Sequence, residues 1–142
     1  NETDSQALPD KIELIPTTSP EQIYTILYIE DNAANLRLVR GLLGHRKNLR
    51  LITADEPFSG LDLAKKQAPD LILLDINLPE MSGLQVMERL SQQQITKAIP
   101  VIAVSANAMP EDISKALEAG FCSYVTKPID FSTLLKSIED AL

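Results

Sequence analysis

From Tyr24 onward, short apolar runs alternate with longer segments in which apolar residues recur at helical spacing. The runs are Ile26-Leu27-Tyr28-Ile29, Leu49-Arg50-Leu51-Ile52, Leu71-Ile72-Leu73-Leu74, Val101-Ile102-Ala103-Val104 and the shorter Tyr124-Val125. Three of them are continuously apolar, as parallel strands covered on both faces must be; a half-solvated antiparallel strand would alternate. The intervening segments carry the covering stripes. These are Leu36, Val39, Leu42 and Leu43; Phe58, Leu61, Ala64 and Ala68; Leu84, Met87 and Leu90; Ile113, Ala116 and Leu117; and Phe131, Leu134, Leu135, Ile138 and Leu142 behind an Asp130 cap. Gly44, Pro69, Pro100 and Gly120 stand where helices should stop or strands begin. The order is (βα)5. Right-handed crossovers then make a doubly wound parallel α/β sheet, strand order 2-1-3-4-5 and flavodoxin-like, the leading topology.

Ahead of this pattern, residues 1–22 hold Pro9, Pro16 and Pro20 among polar and acidic side chains, with one short apolar patch at Ile12, Leu14 and Ile15. They read as a linker or leader, and residues 23–142 as one domain. A hydrophobic fraction of 44% over 142 residues suffices for a real core. The net charge of −7 argues against a nucleic-acid surface, which needs clustered Lys and Arg. Cys122 is the single cysteine, so no disulfide framework or thiolate metal site can be built within the chain; the composition suits a reducing cytosol. No apolar run approaches the roughly 20 residues a bilayer demands, so no membrane contact by this chain is expected. Asn1 rather than Met at the start suggests a processed or excised piece of something longer.

In the 2-1-3-4-5 order the winding reverses between strands 1 and 3, and ligands of open α/β sheets bind in the crevice at the carboxyl ends of the strands there. Strand 1 ends in Glu30-Asp31, strand 3 in Asp75, strand 4 in Ser105 and strand 5 in Lys127-Pro128. Taken singly, each has a duller reading: Asp75 as a turn residue, Glu30-Asp31 as complements to a helix dipole, Ser105 as a cap, Lys127 as a solvated lysine. Four such strand ends falling on the one crevice the topology singles out outweigh those readings. Three carboxylates converging there repel one another unless a cation compensates, and hard oxygen ligands at a hydrated site favour Mg²⁺ or Mn²⁺. Mg²⁺ bound through one or two carboxylates keeps positions open for phosphate oxygens.

With these residues in place, the chain over about residues 23–142 resembles the receiver domain of two-component response regulators. The matching stretches are Tyr28-Ile29-Glu30-Asp31-Asn32, Leu73-Leu74-Asp75-Ile76-Asn77-Leu78-Pro79, Met81-Ser82-Gly83, Val104-Ser105-Ala106 and Tyr124-Val125-Thr126-Lys127-Pro128. The resemblance implies that Asp75 is phosphorylated by a phosphohistidine donor, a histidine kinase or phosphotransfer protein. It implies that Glu30, Asp31, Asp75 and the backbone carbonyl of Asn77 organise the metal. Ser105 and Lys127 would contact the phosphoryl oxygens, and the Lys127-Pro128 bond would be cis. Ser105 and Tyr124 would act as the switch, reshaping the face of helix 4, strand 5 and helix 5 for a downstream protein partner. Asn77 and Asn107 occupy positions that tune phosphoryl lifetime in the family. Such a chain would promote its own phosphorylation and dephosphorylation without turning over external substrate, and it could be the C-terminal receiver of a hybrid sensor histidine kinase. Glu30 in place of the more frequent Asp, and Ser105 in place of Thr, are mild departures; the longer arm of Glu30 would reach the metal through water.

Two other functions use the same residues. A phosphorylation-independent binding module of this fold would bind its partner equally well without Asp75. A Mg²⁺-dependent phosphohydrolase would usually want a second acid two residues after the nucleophile, where Asn77 stands. His45 lacks a kinase-like setting, Cys122 is expected to be a small buried residue, and Met81 fits the loop after the acceptor.

Overall fold

The structure, a computed structural model, describes residues 22–142; the linker expected over residues 1–22 lies outside them except for Gln22. Each apolar run forms a strand and each striped segment a helix: β1 (Tyr24–Ile29), α1 (Ala33–Leu43), β2 (Leu49–Ala54), α2 (Pro57–Gln67), β3 (Leu71–Asp75), α3 (Gly83–Ser91), β4 (Val101–Ser105), α4 (Pro110–Glu118), β5 (Ser123–Thr126) and α5 (Phe131–Ala141). The strands pair in parallel in the order β2-β1-β3-β4-β5. The expected order is therefore the observed one.

Side chains alternate across a strand, so the central strands feed two separate cores. Leu27, Ile29, Ile72, Leu74 and Ala103 meet Ala64 of α2, Val86 and Leu90 of α3 and Ala116 of α4 on one face. Ile26, Tyr28, Leu71, Leu73, Ile102 and Val104 meet Val39 and Leu43 of α1 and Leu134 and Ile138 of α5 on the other. Every residue of β3 and β4 is buried, which explains why these runs show no alternation. Full burial of each aliphatic side chain contributes about 1.5–3 kcal/mol, and that anchors the strand ends where the functional groups stand.

Helix starts are set locally. Asn32 accepts from Asn35 N ahead of α1, Ser82 and Gln85 form a reciprocal capping box ahead of α3, and Asp130 caps α5 as expected. Pro57 and Pro110 occupy first helical positions, where a missing N–H is harmless.

Several expected core positions differ. Phe58 is 52% exposed, because α2 turns Pro57, Gly60 and Ala64 inward instead. A Cβ on Gly60 would come within 2.6 Å of the Ile29 side chain, so the contact is one an apolar-residue count overlooks. Ala68 leaves the stripe as a left-handed C-cap with φ 44°. The α3 stripe includes Val86, and Leu117 and Leu142 at the ends of theirs are exposed. Cys122, expected to be buried, is exposed, because it lies in the turn between Phe121, which enters the core, and β5.

Candidate functional site

Strand register brings the polar strand ends together. Ile29 pairs with Leu74, which sets Glu30 beside Asp75; Asp75 pairs with Val104, which sets Ser105 one step beyond; and Ser105 pairs with Thr126, so Lys127 follows directly. Backbone bonds carry the ladder past the strand ends, from Ile76 N to Val104 O at 3.1 Å and from Lys127 N to Ser105 O at 2.8 Å. The Lys127-Pro128 bond is cis, as the resemblance implies.

Carboxylate oxygens of Glu30, Asp31 and Asp75 lie within 4.8 Å of one another. Glu30 and Asp75 are buried and Asp31 is exposed. Lys127 reaches both buried acids, its Nζ 2.9 Å from Glu30 Oε1 and 3.5 Å from Asp75 Oδ2. Its pKa is raised overall: burial works against the ammonium, and its bonds to Glu30 and the charge of Asp75 outweigh that. The two buried acids part company. Burial and a shared bond with Glu30 push the Asp75 carboxyl up to about 6, against the pull of the Asn77 N–H and Lys127. Burial also opposes the Glu30 carboxylate, but hydrogen bonds with Asp75, Lys127 and Tyr28 bring it down to about 2. On acidification Asp75 therefore takes up the proton while Glu30 keeps the negative charge.

Ser105 Oγ is fully buried and accepts from Asn107 N at 3.1 Å and Asn77 Nδ2 at 3.4 Å. Asp75 Oδ1 accepts from Asn77 N at 3.0 Å. The carbonyl of Asn107 in turn accepts from the Tyr124 hydroxyl at 2.7 Å. One peptide segment, at Asn107, therefore touches both Ser105 and the half-buried Tyr124.

The chemistry of such a site is that of a carboxylate cluster with one ammonium at its edge. Hard oxygens clustered with a net negative charge fit a small divalent cation, and the ammonium and hydroxyl stand where a tetrahedral anion attached to Asp75 would need donors. A cavity of about 360 Å³ between α2 and α3 shares no residue with this cluster.

Residues 26–139 match the response regulator receiver domain family. The chain belongs to that family. It is 37% identical over 118 residues to the polar-differentiation response regulator DivK of Brucella ovis, covering 83% of this chain and 95% of that protein. The receiver domain of sensor histidine kinase PA1611 from Pseudomonas aeruginosa, solved with a magnesium ion coordinated in its active site cleft, superposes with a TM-score of 0.75 at 27% identity, covering 83% of this chain and 96% of that one. Vibrio cholerae chemotaxis protein CheY4 shares the fold, with a TM-score of 0.79 at 24% identity and coverage of 84% and 99%. Receiver domains bind Mg²⁺ at an acidic site, take phosphoryl groups from histidine kinases and bind downstream partners. This receiver domain has such an acidic cluster, and none of its described helices is long and apolar enough to cross a membrane.

The receiver fold brings every singled-out site residue to the same end of the sheet, and it adds three that sequence reasoning missed. Tyr28 and Asn35 donate to Glu30 Oε1 at 2.8 and 3.2 Å. Tyr28 sits inside an apolar run and reads as core; its two-residue spacing from Glu30, which puts both on one side of the strand, was the available signal. Gly83 is the third. A Cβ there would lie 2.5 Å from the Asp75 carbonyl oxygen and 2.6 Å from Ile76 Cα, so only glycine lets α3 start against the acceptor strand.

Proposed function

We propose that Asp75 is the phosphoacceptor of this receiver domain, with Glu30, Asp31, Asp75 and the carbonyl of Asn77 organising a Mg²⁺ ion. The observation that carries the proposal is the convergence on Asp75 of two further carboxylates and the Lys127 ammonium, 3.5 Å away. In the transfer, an Asp75 carboxylate oxygen attacks phosphorus, a P–O bond forms, the P–N bond of the phosphohistidine breaks, and the leaving imidazole takes up a proton from solvent. Phosphoryl transfer through a loose transition state asks the protein mainly for positioning and charge stabilisation. Lys127 stabilises one equatorial oxygen and the Ser105 hydroxyl donates to another. Bound Mg²⁺ would supply the remaining counter-charge for the roughly −1.5 to −2 that a phosphoryl group brings. Hydrolysis reverses the gain: water attacks phosphorus, the P–O bond to Asp75 breaks, and phosphate leaves. Asn77 and Asn107, which border Ser105, set how water reaches the acyl phosphate and so tune its lifetime.

The switch runs through Asn107. When the Ser105 hydroxyl turns to the phosphoryl group it re-forms its bonds with the Asn107 segment, and the Tyr124 hydroxyl, held by the Asn107 carbonyl, follows. Tyr124 belongs to β5, so the face of α4, β5 and α5 is the surface a downstream protein partner reads. The net charge of −7 favours a protein over a nucleic acid there, and the domain acts in the cytosol with residues 23–142 as its unit and residues 1–22 as a tether.

Intact-mass analysis after incubation with Mg²⁺ and acetyl phosphate, repeated with a phosphohistidine donor, tests the assignment. Wild-type protein gains one phosphoryl mass and Asp75→Asn gains none. An adduct that persists in Asp75→Asn, or none in the wild type with either donor, would refute it.

A further inference from the structure

Glu30 Oε1 carries an unusual load. It accepts from Tyr28 Oη at 2.8 Å, from Lys127 Nζ at 2.9 Å and from Asn35 Nδ2 at 3.2 Å, whereas Oε2 accepts a long bond from Asn32 N at 3.3 Å. The two oxygens of one carboxylate therefore face different tasks. One carries the lysine and two further donors, and the other is only lightly bonded.

The phenol behind this arrangement is fully buried. Tyr28 packs in the core with Val39, Leu73, Val104 and Leu134, and a buried hydroxyl must find a partner. It cannot turn away, because the aromatic ring is fixed by close packing on the sheet face that α1 and α5 cover. The hydroxyl thus reaches out of the core to a carboxylate from two residues farther along the same strand. A core side chain with a fixed ring is a stiffer support than the flexible stem of a lysine.

We propose that Tyr28 is a positioning residue for phosphoryl transfer: its hydroxyl fixes the Glu30 carboxylate so that Oε1 holds the Lys127 ammonium beside Asp75. This rests on the phosphoacceptor reading of Asp75. Tyr28 touches neither donor nor phosphoryl group, and it acts through Glu30 and Lys127 alone. Asn35, from the half-buried side of α1, supplies a second and weaker support to the same oxygen.

The test is the rate constant for Asp75 phosphorylation by acetyl phosphate at saturating Mg²⁺, followed by intact mass, in wild type, Tyr28→Phe, Lys127→Ala and the double variant. Mg²⁺ affinity of each is measured by calorimetry. Phenylalanine keeps the ring in place, and circular dichroism with thermal unfolding verifies the fold. Tyr28→Phe is expected to lower the maximal rate about tenfold, without a matching rise in the donor concentration for half-maximal rate, and to leave the Mg²⁺ dissociation constant within about twofold. In the Lys127→Ala background the same substitution is expected to change nothing further, because the group it positions is gone. A general structural role would lower the rate in both backgrounds. An unchanged rate in Tyr28→Phe, a full-sized drop in the Lys127→Ala background, or a tenfold loss of Mg²⁺ affinity would each overturn the proposal. Should Tyr28→Phe not fold, Asn35→Ala tests the same oxygen from outside the core, with a smaller drop and the same non-additivity with Lys127→Ala expected. A wild type that never labels at Asp75 sinks the functional reading itself, whereas a labelled wild type with an equally fast Tyr28→Phe sinks only the positioning role.

Discussion

Replacing Asp75 with asparagine should stabilise the metal-free domain at neutral pH while abolishing its proposed activity. The Asp75 carboxyl is raised from 3.8 to about 6, first by burial and then by its bond with Glu30 and that residue's charge. A group whose folded pKa lies above its unfolded value adds stability that is fully present below the unfolded pKa and is lost as pH rises through the folded one. The wild type therefore loses stability between about pH 4 and pH 6, and a shift of roughly two units corresponds to about 3 kcal/mol. Asparagine does not titrate, is nearly isosteric, and can still accept from Asn77 N through its amide oxygen. It gives up the 3.5 Å contact with Lys127, but Lys127 keeps its shorter bond to Glu30, so the expected net gain at pH 7.5 is about 2 kcal/mol, or roughly 8 °C in Tm for a domain of this size. Urea unfolding of both proteins in EDTA at pH 4 and pH 7.5 measures the difference. Near-equal stabilities at pH 4 and a gap of about 2 kcal/mol at pH 7.5 are expected. Saturating Mg²⁺ should narrow the gap, since it stabilises the wild type by RT ln(1 + [Mg²⁺]/Kd) and has one ligand fewer in the variant. A variant no more stable than wild type at pH 7.5 would mean that Asp75 is not under the electrostatic load assigned to it.

Two other substitutions probe the frame around the site. Gly83→Ala places a Cβ against backbone atoms at 2.5 and 2.6 Å, and because backbone cannot swing aside as a side-chain tip can, it should cost about 1–3 kcal/mol in urea unfolding and slow labelling of Asp75; wild-type stability would refute the close approach. Cys122 is exposed, yet partial burial of its thiol raises the pKa. Iodoacetamide should therefore label it fully without denaturant but more slowly than free cysteine at pH 7.5, with the rate climbing as pH rises, and Cys122→Ser should shift stability by less than about 0.5 kcal/mol.

The fold was legible because both parallel layers left a plain imprint. Strands buried on two faces appear as uninterrupted apolar runs, and β3 and β4 read correctly to within a residue. Helix faces were less legible, because a stripe drawn from large apolar residues ignores the small ones that permit closest packing. Such a stripe counts Phe58 as core and omits Gly60, although Gly60 is the residue that lets α2 approach Ile29. Leu117 and Leu142 failed for a related reason: helical spacing gives an angle around the axis and not the depth at which the neighbouring layer ends. For Cys122 the residue type alone points inward, and it carries no information about a turn.

The site was legible in its charged groups and opaque in its supports. Glu30, Asp31, Asp75, Ser105 and Lys127 each follow an apolar run, so topology alone could converge them, but which acid holds the proton depends on hydrogen bonds from Tyr28 of β1, Asn35 of α1, Asn77 after β3 and Lys127 after β5. Tyr28, Asn35 and Lys127 all donate to Glu30, and Asp75 is left with Asn77 N and the more distant face of the lysine. The strain on Asp75 and the avidity of the pocket for a cation then have one origin. The same burial and the same neighbouring carboxylate that lift its pKa also make a divalent ion, or a phosphoryl group accompanied by one, the partner that relieves the repulsion. A receiver site built in this way is least content when empty and deprotonated, and that discontent is stored in groups the strand register fixes before any ligand arrives.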